Sequence, residues 1–166
     1  MKRTCFGWVV LLTTACGSRG QPRAVADSPF AALQARGATA MGVDQYTSAH
    51  VFEPLPDGGR ILLQRDTVDP VGTDAIREHM RDIAARFASG DFRIPGFVHA
   101  QTVPGTDVMA ARRALIRYEA DPFPRGGVVR IVTTDSLALT AVHAFLAFQR
   151  TEHRAAAHEH GGARKP

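Results

Sequence analysis

Apolar and polar positions along the chain fall into two stretches built alike. In the first, residues 50–55 (HVFEPL) and 60–66 (RILLQRD) flank a PDGG turn and predict strand, turn and strand. Ile61 and Leu63 share one face of the second strand, and Arg60 and Gln64 the other. A helix-period stripe follows, with Ile76, Met80, Ile83 and Phe87 on one face. Thr73 is the expected N-cap, Asp74 lies in the first turn, and Gly90 is a natural stop. In the second stretch ALIRYEA (114–120) alternates, DPFPRGG (121–127) turns, and VVRIVTT (128–134) alternates again. Asp135 is the expected cap of a helix whose apolar face is Leu139, Val142, Phe145, Leu146 and Phe148.

This doubled pattern predicts an α+β fold, an antiparallel sheet with two helices packed on one face and a possible duplicated ββα unit (repeats 50–92 and 113–154). Pro56–Gly58–Gly59 and Pro124–Gly126–Gly127 take matching turn positions, and His79 and His143 roughly matching helix positions. Residues 29–49 read either as a short helix docked on the sheet or as an ordered loop. Between the halves, residues 90–113 form a long connection, a turn and then an extended arm reaching His99. Pro95 and Pro104 exclude a regular central strand there, and connections of this length are often functional.

The N-terminal residues change how composition is read. Lys2 and Arg3 precede the apolar run FGWVVLL (6–12), shorter than the roughly 20 apolar residues needed to span a bilayer. LTTAC (12–16), followed by Gly17 and Ser18, resembles the lipobox of bacterial lipoproteins, in which the cysteine becomes the lipidated N-terminus. Thr13 departs from the Leu, Val or Ile usual in that family. The expectation is a signal peptide over 1–15, lipidated Cys16 with a polar tether over 16–28, a single domain over 29–154 and a disordered tail over 155–166. An ordinary secretory signal, leaving a secreted soluble protein, is the alternative; both readings export the chain.

Export bears on stability and charge. Cys5 leaves with the signal and Cys16 carries lipid, so no cysteine remains for a disulfide, and about 150 residues must hold by burying roughly 68–70% of their unfolded surface. Loss of Lys2 and Arg3 takes the formal charge from +4 to +2, and the arginines form no basic stripe. Nucleic acid is therefore not an expected partner.

Enzymatic constellations do not stand out. There is no GxSxG, both GG pairs sit in turns rather than in a phosphate loop, and Asp44, Glu53, Asp57, Asp66 and Asp91 are not paired by spacing. A His99–Asp91 relay has no support beyond proximity in sequence. Metal ligation needs three or four converging donors, and the candidates are His50, His79, Met80, His99, Met109, His143 and His153. The doubled pattern selects His79, His99 and His143 as ligands for copper or zinc, with the imidazoles of the two helices facing each other. His158 and His160 belong to the tail. As a binding module instead, the domain would offer its open sheet face, or Phe92, Pro95 and Phe97 of the connection, to a protein partner or small ligand.

HMRDIAARFASGDFRIPGFVHAQTVPGTDVM, taken with PRGGVVRIVTTDSLALTAVHAFLAFQRTEH, resembles a family of small exported bacterial proteins, over most of residues 50–153. The shared features are HM on the first helix, GDF-x-x-P, the following His, PG and the HAFLAFQ helix. The resemblance implies a genuine folded domain and brings no activity with it.

Overall fold

Two hairpins with two-residue turns build the sheet. β1 (Ser48–Leu55) and β2 (Gly58–Arg65) close around Pro56 and Asp57, and β3 (Ile116–Phe123) and β4 (Gly126–Thr133) around Pro124 and Arg125. The computed structural model describes residues 29–154; the expected signal peptide, Cys16, tether and tail lie outside the described residues. The hairpins join through β2 and β4 in the order β1-β2-β4-β3, antiparallel throughout. The fold is α+β, as the pattern predicts.

Strand alternation sorts the two faces. Phe52, Ile61, Leu63, Val129 and Ile131 point into the core. The opposite face carries a row across all four strands, Glu53, Arg60, Arg130 and Glu119, held by the Glu53–Arg60 ion pair and by Arg130 on Asp57 at 2.5 Å.

Two long helices cover the core face, α2 (Pro70–Ser89) and α5 (Ser136–Glu152). Each crosses onto the other unit's hairpin: α2 lies over β3 and β4, α5 over β1 and β2. A glycine stands at each crossing, and the approach is closer at Gly59 than at Gly127. A Cβ on Gly59 would stand 2.2 Å from Leu146 Cδ1, and one on Gly127 would stand 3.1 Å from Met80 Cγ. The two crossings are also latched alike. His143 Nε2 donates to the carbonyls of Leu55 (2.9 Å) and Gly58 (3.0 Å). Arg77 donates to the corresponding carbonyls of the other turn, Gly126 (3.1 Å) and Phe123 (3.4 Å). The counterpart of His143 is therefore Arg77, not His79: Arg77 is the eighth residue of α2 as His143 is of α5, and His79 lies two positions further on.

Helix boundaries follow local chemistry with one correction. α2 starts a turn before the expected Thr73 cap: Asp69 caps it by accepting from Gly72 N at 3.0 Å, and Pro70, already set to helical φ, opens the first turn. Gly90 ends it with φ +84°. Asp135 caps α5 as expected, accepting from Ala138 N at 2.8 Å.

The connection is helical rather than an extended arm. It holds α3 (Arg93–His99) and α4 (Thr106–Ala111). Pro95 sits in the first turn of α3, where a missing N–H costs no helical bond. α4 inserts the fully buried Met109 into the core and packs on α5. Residues 29–49 supply α1 (Pro29–Met41), which packs chiefly on α3 rather than on the sheet, pinned by Arg36 Nε donating to Val98 O at 2.8 Å. Among the described residues no helix is long and apolar enough to cross a membrane.

Candidate functional site

Four histidines line one cavity of about 70 Å³ between the sheet and helices α1, α2, α3 and α5. Each comes from a different element. His50 is the inward residue of β1 two positions before Phe52, and His79 precedes the core residue Met80 on α2. His99 is the last residue of α3, and His153 is the C-cap of α5. The rest of the wall is largely hydrocarbon, including Phe52, Ile61, Leu63, Ile83 and Ile94.

Three of the rings are close. His153 lies 5.2 Å from His50 and 5.1 Å from His99 between ring centroids, with Phe52 at 5.3 Å from His153. Buried ring nitrogens are left without a hydrogen-bond partner on all three: His50 Nε2, His99 Nδ1 and His153 Nδ1. The other nitrogen of His99 is committed, since Nε2 donates to Gln149 Oε1 at 2.8 Å, and His50 is hydrogen-bonded to the Ser48 backbone.

Burial keeps these imidazoles neutral. It pushes His50 and His79 down to about 4. His153 falls to about 3, through burial first and then through its neighbours His50 and His99. His99 is lowered for the same first reason, against the raising effect of its bond to Gln149. At neutral pH the cavity therefore presents uncharged imidazoles, the form that binds metals and accepts hydrogen bonds.

The expected ligand set is half assembled. His79 and His99 share the cavity, whereas His143 is spent on the β1–β2 turn and does not join them. Its place is taken by His50 and His153. Two sequence signals point to them: His50 has the inward parity of Phe52, and His153 continues the face of Phe145 and Gln149 along α5. Met80 lines the cavity, while Met109 packs in the core. Among the described residues no three His, Cys, Asp or Glu side chains already stand as a metal-holding group.

The other candidates find structural roles. Asp91 does not orient His99; it is held by Arg93 at 2.8 Å and Arg86 at 3.1 Å, which keep its carboxyl well below the usual range. Asp44 caps the 3₁₀ turn Gln45–Thr47. Phe92 stacks on Phe87 at 4.5 Å and Pro95 is buried in the cavity wall, so only Phe97 of that trio is exposed. Comparison with protein-family models, with curated proteins and with solved structures finds no match for this chain.

Proposed function

We propose that this chain is an exported, membrane-anchored lipoprotein whose domain is a binding module, with the histidine-lined cavity as its site for a small ligand. One observation carries the binding reading. Three imidazole nitrogens are buried around one apolar cavity with no partner, and each such group costs about 1–3 kcal/mol unless something satisfies it. A ligand entering the cavity recovers that cost. The partner-surface reading has less behind it, because Phe97 alone of its anchors is exposed.

Native mass spectrometry of the purified full chain tests the binding reading. A bound species or ion should be present, or be accepted from a panel of small hydrogen-bond donors and metal ions, and be lost on His50→Tyr/His153→Phe. A protein that takes up nothing from that panel would sink the reading.

Export and anchoring are supported by Lys2, Arg3, the apolar run 6–12 and Cys16. Metabolic labelling with an alkyne fatty acid should mark the wild type and not Cys16→Ser. An unlabelled, exported wild type would instead mean a secreted soluble protein.

A further inference from the structure

We infer that the ligand is a single transition-metal ion, monovalent copper, held by His50 Nε2, His99 Nδ1 and His153 Nδ1 with His79 beside them; this rests on the cavity being the binding site.

The hydrogen-bond arrangement around the rings points to a metal. Metal-binding histidines almost always commit their other ring nitrogen to an oxygen acceptor, which fixes the tautomer and aims the lone pair. His99 does so through Gln149 Oε1, so its unpartnered Nδ1 carries a lone pair. The bond of His50 to the Ser48 backbone leaves Nε2 in the same condition. An electrophile is what such nitrogens lack.

Size and spacing agree. A cavity of about 70 Å³ has room for an ion together with a few waters, each of which needs about 10–15 Å³ of such space. Ring centroids 5.1 and 5.2 Å apart are close to the roughly 5 Å expected of imidazoles sharing a tetrahedral metal at about 2.0–2.1 Å from each nitrogen. The shell is not closed in this structure, and binding would require the rings to turn toward a common point.

The donor set selects the ion. Among the described residues no carboxylate lines the cavity, a donor set that does not suit hard cations such as calcium and magnesium. Nitrogen donors with the thioethers of Met80 and Met41 in the wall suit a soft ion. With only neutral donors and hydrocarbon around it, a single positive charge is far less costly to bury than a double one. Cu(I) meets these conditions better than Zn(II).

The test is an anaerobic titration of the full chain with Cu(I) against a chromogenic chelator, and separately with Zn(II), in a His158→Ala/His160→Ala background that removes the tail histidines. One Cu(I) per chain is expected, with an X-ray absorption spectrum of a nitrogen-rich shell. Gln149→Leu should weaken binding roughly 10–100-fold, as loss of an outer-shell partner does, and His50→Tyr/His153→Phe should weaken it more. Circular dichroism checks that each variant folds, and His99→Gln replaces the double variant if that one does not. Stoichiometric binding that survives these substitutions, no binding at all, or Zn(II) held more tightly than Cu(I) would each overturn the assignment. If metal fails but an organic donor still binds and is lost in the same variants, the cavity reading stands without copper; if both fail, both readings fall.

Discussion

The two ββα units are built alike at their turns and differ where their cores meet the chain ends. Counting back equally from the turn residues Leu55 and Phe123 places His50 opposite Tyr118. Counting forward equally from the latching residues His143 and Arg77 places His153 opposite Phe87. Where α2 crosses the second hairpin these positions hold Phe87 against Tyr118, rings 5.8 Å apart edge to face, with Phe92 stacked on Phe87. Where α5 crosses the first hairpin they hold His153 against His50, with His99 alongside. One aromatic corner seals the core with hydrocarbon, at the cost of a single unpartnered hydroxyl on Tyr118. Its counterpart leaves three ring nitrogens unpartnered around a cavity. A frame used twice has one corner filled with hydrocarbon and the other lined by unpartnered imidazole nitrogens.

The largest effect should come from emptying the hydrocarbon corner. Phe87 is 1% exposed at the centre of the core, and Phe87→Ala should cost about 3–5 kcal/mol in denaturant unfolding. A loss below about 1 kcal/mol would mean this corner does not carry the core.

The glycine crossings should separate next. Gly59→Ala drives a Cβ into Leu146 Cδ1 and to 2.8 Å from the Glu53 carbonyl, so it should cost about 1–3 kcal/mol. Gly127→Ala meets only Met80 Cγ, at 3.1 Å on a flexible side chain, and should cost clearly less. Equal losses would show that the two crossings are packed alike after all.

Making the histidine corner resemble its counterpart should work in the opposite direction. His50→Tyr/His153→Phe removes two unpartnered nitrogens and should leave the unliganded protein as stable as wild type or more so, measured by thermal melting in chelator. The same variant should change the acid limb. His50, His79 and His153 have folded values near 4, 4 and 3, below the ordinary 6.5, so the unfolded chain binds more protons than the folded one between those limits. Stability from these groups is complete above about pH 6.5 and is lost as pH falls toward 3. A flatter stability profile in the double variant over that window is expected; an unchanged one would show that the rings do not govern acid unfolding.

The smallest effect belongs to the latches. His143→Ala should cost about 0.5–1.5 kcal/mol, the range of an ordinary hydrogen bond, and leave ligand binding intact. Loss of binding in His143→Ala would return that residue to the site.

Much of this architecture was legible beforehand because it is written in short-range chemistry. Parity placed Ile61 and Leu63 inward, the 3.6-residue stripe placed Ile76, Met80, Ile83 and Phe87 on one face, and Gly90 and Asp135 marked helix ends. Pro70 was the missed signal for the start of α2, and Pro95, which speaks against a central strand there, sits in the first turn of a short helix that the pattern did not predict. The site was legible by half. His79 and His99 were candidates whose elements converge, but His79 lies two positions past the helix position that matches His143, and Arg77 occupies that position instead.

Local sequence determined the elements of this protein, because turn geometry, strand parity and helix period depend on residues a few positions apart. Tertiary structure alone decided that each helix crosses to the other hairpin, a packing between residues far apart in the chain that sets Leu146 against Gly59 and Met80 against Gly127. The same crossing decided which histidines meet. It carries the end of α5 over β1, beside the end of α3, so that His50, His99 and His153 become neighbours though far apart in the chain.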